Sequence, residues 1–171
     1  MERDLLVLCG YPRTGNENAF MKVTEMLVSH HAMLRSVFKE VERAMGEAET
    51  TEVIVSLAKV VEGLIRDHAE AESNMLFAPL DSLLLEKGQF QQFYTKHEEY
   101  LDMLERVGRP PPGRDARSLL SVAITALQRH FDVEEQVVIP LAEKTFEPES
   151  LEKLGEAWLH RDTDLVTLAA R

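Results

Sequence analysis

Four histidines, His31, His68, His97 and His130, each sit on the apolar stripe of a different helix-like segment of the chain. An imidazole on a core face needs hydrogen-bond partners that hydrocarbon does not supply. For one such residue the ordinary explanation is a structural histidine satisfied in place. Four of them, one per segment, fit better with convergence on a shared ligand, which removes the cost of burial. Two carry a carboxylate four residues on: Glu72 follows His68, and Glu134 follows His130. At ~1.5 Å rise and ~100° per residue, positions i and i+4 stand one above the other on the same face of a helix. Each pair therefore offers an imidazole nitrogen and a carboxylate oxygen to one interior point. A single His-x-x-x-Glu occurs readily on any solvated helix; two on buried faces form a pattern.

The pattern repeats internally. Arg66-Asp67-His68-Ala69-Glu70-Ala71-Glu72 runs on to Pro79-Leu80, and Gln128-Arg129-His130-Phe131-Asp132-Val133-Glu134-Glu135 runs on to Pro140-Leu141. An upstream histidine, His31 or His97, precedes each unit. Two similar amphipathic helices would explain the stripes alone. They would not explain the repeated His, Glu and Pro, which suggest pseudo-two-fold symmetry about a site between two hairpins.

The elements that must position these residues are marked out by structure breakers. Gly10, Pro12 and Gly15, then Gly46, Gly88, the run 108–113 and Pro148 divide the chain. Between them apolar residues recur at three- and four-residue steps, the spacing of an amphipathic helix. The first stripe reads Phe20, Thr24, Leu27, His31, Leu34, Phe38, Val41, Met45. The second runs from Val53 or Ile54 through Leu57, Val61 and His68 to Leu80, and the third from Phe90 through Phe93 and His97 to Leu104. The fourth runs from Leu119 or Leu120 through Ala123, Leu127 and His130 to Val137 and Leu141, and the fifth from Leu151 through Leu154 and Trp158 to Leu168. Four long helices with short connections predict an all-α, up-down-up-down four-helix bundle over residues 18–146. Residues 147–171 are expected to form an accessory C-terminal helix docked outside it. Residues 1–17, with a strand-like run at 5–9 that has no partner, are expected to be an extended lead-in. Pro79 and Pro140 are expected to bend the last turns of helices two and four.

Composition excludes several classes. Lys plus Arg is 19 against 30 for Asp plus Glu, a formal net charge of −11, which opposes binding to nucleic acid. The hydrophobic fraction of 44% is ample for a core. No run of 18 apolar residues is present, so no membrane span is expected. The opening Met-Glu-Arg-Asp lacks the basic start of a signal peptide, and a cytoplasmic protein is expected. The single cysteine, Cys9, cannot form an internal disulfide or a cysteine-based zinc site.

On these residues the chain resembles the hemerythrin-like, or HHE cation-binding, domains. The resemblance extends from about Asn18 to Phe146, through Ser29-His30-His31-Ala32-Met33-Leu34-Arg35, His68 with Glu72 and Leu76-Phe77, and His97-Glu98. It is most specific in His130-Phe131-Asp132-Val133-Glu134-Glu135 with Pro140-Leu141. It implies a four-helix bundle holding two non-haem iron ions, with an oxo or hydroxo bridge and with manganese or zinc as substitutes. It further implies His31, His68, His97 and His130 as terminal ligands and Glu72 and Glu134 as bridges. His30 is the runner-up to His31 for the first position, at the rim of the site. Mixed imidazole and carboxylate donors suit iron or manganese better than thiolate-seeking metals.

The chain departs from oxygen-carrying members on helix three, where they have two histidines four residues apart. Here the positions four away from His97 are Phe93 and Leu101. One imidazole fewer turns expectation from pure oxygen carriage towards binding, sensing or reacting with dioxygen, nitric oxide or peroxide. Tyr94 and Tyr100 are candidates for a phenolate ligand or nearby donor, or are ordinary core tyrosines. Ferritin-like carboxylate sites need Glu-x-x-His pairs, and no histidine here has a glutamate three residues before it. Iron storage or delivery without turnover, and a metal-free interaction or phosphotransfer bundle, stand as alternatives. The expected partner is a small diatomic gas or peroxide, with a homodimer or a signalling partner chain open. Glu135 is expected to be solvated, Glu70 and Asp132 to be exposed or near the ligands, and His160 to lie on the surface.

Overall fold

The computed structural model describes residues 20–84 and 88–169, with side chains described as far as His160. The expected lead-in at 1–17, Cys9 included, lies outside the described residues. Every regular element among the described residues is helical. They are α1 (Val23–Glu47), α2 (Thr51–Glu72), a π-helical turn (Ser73–Phe77), α3 (Ala78–Leu83) and α4 (Gln91–Val107), then α5 (Ala116–Val133), a second π turn (Glu134–Val138), α6 (Ile139–Thr145) and α7 (Pro148–Ala169). Among the described residues, no helix is long and apolar enough to cross a membrane.

Local sequence sets the helix ends. The Asp115 carboxylate accepts the Ser118 backbone N–H at 2.9 Å and so caps α5, satisfying one of the donors left open in a first turn. Gly88 and Gly113, at φ 76° and 79°, take the left-handed backbone conformation in the connections before α4 and α5.

Pro79 and Pro140 act differently from the expected bend in a final turn. Just before each, the helix widens by one residue: the Ala78 N–H donates to the Ser73 carbonyl and the Ile139 N–H to the Glu134 carbonyl, five residues back. A proline ring collides with the carbonyl four residues before it in a regular helix. The wider turn relieves that conflict, and each proline then falls in the first turn of the next helix. The added residue also shifts the buried stripe. Val138 and Ala142 are fully buried where the periodicity had placed Val137 and Leu141, and Val137 is 54% exposed. At the other end of the pattern, Phe20 is 48% exposed.

Among the described residues, the interior has two hydrocarbon clusters. One gathers Leu34, Phe38, Val61, Ile65, Leu120 and Leu127 among others. The other gathers Leu27, Leu76, Phe77, Leu80, Phe93, Val138 and Trp158 among others. Burying each of these large side chains contributes about 1.5–3 kcal/mol. α1, α4 and the two helices interrupted by π turns each contribute to both clusters, and the buried His31, His68, His97 and Glu134 fall along their helices between the two contributions. The result is an all-helical bundle with a polar layer between two apolar ends. α7 packs on α1 and on the first π turn. Gly155 permits that contact, because a β-carbon there would lie 2.1 Å from the Met21 carbonyl oxygen.

Candidate metal centre

The polar layer is assembled from four rods. α1 supplies His31, α2 supplies His68 and Glu72, α4 supplies His97, and α5 with its following π turn supplies His130 and Glu134. All six residues are buried, none more than 5% exposed. Their donor atoms form two groups, His31, His68, Glu72 and Glu134 in one and Glu72, His97, His130 and Glu134 in the other. Within each group the atoms lie within 4.8 Å of one another. Glu72 and Glu134 belong to both, which is what two adjacent ions sharing two carboxylates would require.

Distances in the layer are short and mostly unsuited to hydrogen bonding. His31 Nε2 lies 3.5 Å from Glu134 Oε2, and His97 Nε2 lies 3.3 Å from Glu72 Oε2 and 3.6 Å from Glu134 Oε1. His68 Nε2 is 3.8 Å from Glu72 Oε2. His130 Nε2 stands 2.8 Å from both His97 Nε2 and Glu134 Oε1, and one ring nitrogen cannot satisfy two such neighbours at once. Among the described residues, seven buried atoms lack a hydrogen-bond partner: His31 Nε2, His68 Nε2, His97 Nδ1 and both oxygens of Glu72 and Glu134. Leaving a buried polar atom unsatisfied costs about 1–3 kcal/mol. Seven together match or exceed the ~5–15 kcal/mol net stability of a whole domain. Cations coordinated by these nitrogens and oxygens would offset the cost at all but the outward His97 Nδ1, so the residues present fit a metal.

Protonation in the layer reflects the same crowding. Burial draws the His97 imidazole down, but the Glu134 and Glu72 carboxylates beside it reverse this and raise it to about 9. Burial and then the charge of Glu134 push the Glu72 carboxyl well above the usual range. Burial also pushes at Glu134, yet the His130 and His97 imidazoles against it hold its carboxyl low. Burial keeps His31 and His68 below the ordinary histidine value.

All six sequence-predicted residues are thus brought together. His30 lies at the rim, half-buried, with its Nδ1 3.2 Å from His68 Nδ1 and its ring 5.8 Å from that of Trp158 on α7. Tyr100 packs against His130 at 5.0 Å between ring centroids, and Tyr94 meets Phe77 edge-on at 5.6 Å. Glu70 is exposed, and so is His160. Asp132 pairs with Arg35 at 2.8 Å, on the surface.

Glu135 departs from expectation. It is not simply solvated: Oε1 lies 2.9 Å from His31 Nδ1 and accepts from Arg35 Nη1 at 2.6 Å. Burial alone would raise its carboxyl, and Arg35 and His31 outweigh that and lower it. The angular step assumed for a regular α-helix pointed Glu135 away. The wider π turn packs more residues into each turn, narrows the angle between neighbours, and brings consecutive glutamates to the centre and to its α1 wall. The available signal was Arg35, four residues after His31 and so on the same face of α1.

No curated protein and no solved structure matches the chain. The family model of the hemerythrin HHE cation-binding domain matches residues 22–142, which span all six clustered residues and both π turns. With this match added to the buried cluster, the chain belongs to the hemerythrin HHE cation-binding domain family.

Proposed function

We propose that this chain is a non-haem di-iron protein that binds, senses or reacts with a small oxidant or gas such as dioxygen, nitric oxide or peroxide. In this proposal the bundle winds up-down-up-down, His31, His68, His97 and His130 are terminal ligands, and Glu72 and Glu134 bridge. The observation that carries it is the pair of buried donor groups sharing Glu72 and Glu134, with their inward atoms unsatisfied. An iron pair bound there would supply redox chemistry and an open coordination position for a small molecule. The protein's part is to hold the donors and keep the surroundings dry. Phe93, one of the positions four from His97, is buried with its ring 6.0 Å from that of His130. Phe77 stacks at 6.0 Å from His97. Hydrocarbon on this side favours a small neutral molecule over a hydrated anion.

The test is elemental analysis of aerobically and anaerobically purified protein together with an optical spectrum. The expected result is two irons per chain and charge-transfer bands that respond to oxygen or azide. Iron released readily to chelators with no gas-dependent spectrum would instead support storage or delivery, and folding with no bound metal would reject the proposal.

A further inference from the structure

The two groups of donors share their carboxylates but differ behind their imidazoles. His31 presents Nε2 to the centre and Nδ1 to Glu135 Oε1 at 2.9 Å. That carboxylate is itself gripped by Arg35, whose other nitrogen, Nη2, donates to Asp132 at 2.8 Å. The His31 ring stacks on Phe131 at 4.3 Å and 10°, and the Arg35 guanidinium lies 5.6 Å from the same ring. Ring plane and ring nitrogen are therefore both fixed. In the same group, His68 has its Nδ1 against His30 at 3.2 Å.

The internal repeat supplies the comparison. In the other half, Ser73 occupies the place after the shared glutamate that Glu135 occupies here, and Leu101 stands four after His97 as Arg35 stands four after His31. Neither can form the ion pair. His97 Nδ1 is buried with no hydrogen-bond partner. A carboxylate accepting the outer N–H of a ligating imidazole fixes its tautomer, directs the other nitrogen to the metal and makes it a stronger donor. An imidazole with no such partner lacks all three effects.

We propose that Glu135, clamped by Arg35, is a positioning residue that locks His31 with its proton on Nδ1 and makes the His31–His68 position the tighter of two unequal metal positions. This rests on the metal-binding proposal above for its second half only; the tautomer belongs to the metal-free protein.

Two measurements test it on the full chain. Nitrogen-15 NMR of the metal-free protein, recorded at a pH where His31 carries one ring proton, should show that proton on Nδ1, and Glu135→Ala should move it to Nε2 or produce a mixture of tautomers. Calorimetric and optical titration with cobalt(II) alone should show two steps in the unsubstituted protein. Glu135→Ala should weaken the tighter step about 10–100-fold and leave the weaker one within about threefold. Glu135→Gln, which keeps an accepting oxygen and the side-chain shape but not the charge, should preserve the tautomer and weaken the tighter step by less. An unchanged His31 tautomer in Glu135→Ala overturns the proposal, as does an equal loss at both steps. Absence of cobalt uptake by the unsubstituted protein would sink the metal-binding proposal instead, while the tautomer result would still decide the role of Glu135.

Discussion

The unit around His68 and the unit around His130 contain the same parts in the same order: an imidazole, a glutamate four residues on, a π turn and a proline. The shared imidazole and glutamate are buried in both units, and the residue after the glutamate, half-buried at the edge of the layer, differs. After the first glutamate comes Ser73, after the second Glu135, which bridges to Arg35 and His31. The lesson is that a repeat can specify where donors meet while the residues just outside it decide whether the two positions are alike. Symmetry in the inward donors does not imply symmetry in what stands behind them.

The largest expected effect tests the shared parts. Glu72→Ala or Glu134→Ala removes a donor from both groups, so bound metal measured by elemental analysis should fall from two per chain to well below one. His31→Ala or His130→Ala touches one group only and should leave roughly one metal. Equal losses in all four variants would break the comparison between shared and private ligands.

A second comparison sets the apolar ends against each other. Phe38 and Phe77 are both fully buried, in different clusters, and replacing either with Ala should cost about 3–5 kcal/mol in denaturant unfolding. Phe77→Ala should also reduce metal content, because that ring stacks on His97. Phe38→Ala should leave metal content at the level of the unsubstituted protein.

Acidity sharpens the contrast between the halves. His97 must release its proton to coordinate, and it holds that proton up to about pH 9 in the metal-free protein. Release of the His97 proton should therefore contribute about tenfold per pH unit to apparent metal affinity between pH 7 and 9, and Glu72, whose carboxyl is also raised, adds to the rise, as measured by competition with a chelator. In the metal-free protein the signs differ. The contribution of His97 to stability is fully present below the ordinary histidine value and is lost as pH rises through about 9. His31 and His68, held low by burial, contribute stability above the ordinary value that is lost as pH falls through their lowered ones.

The smallest effect tests the π register. Val138→Ala, on the buried face, should cost about 1–3 kcal/mol, and Val137→Ala, on the exposed one, no more than about 0.5 kcal/mol. Reversed costs would mean that the helix runs through Pro140 without the extra residue.

The helices and the six clustered residues were legible in the sequence because both follow one regularity, the three- and four-residue step that keeps a stripe on one face. His31, His68, His97 and His130 could be found from that step alone, and Glu72 and Glu134 from their distance to the nearest histidine. What escaped were the places where the step breaks. A single inserted residue leaves no mark in composition. It moved burial from Val137 to Val138 and turned Glu135 from solvent towards His31. The prolines at 79 and 140 marked the sites of disturbance, but a bend and a widening begin from the same clash with a carbonyl.

Gly155 carries a consequence for the centre that no ligand list would include. With the Met21 carbonyl oxygen 2.1 Å from where a methyl group would sit, the seam between α7 and the start of α1 tolerates hydrogen and nothing larger. Trp158, one turn further along, rests against His30, and His30 against His68. A one-carbon change in this buried seam would thus lever the last helix away and be felt, three rings inward, by an imidazole at the core.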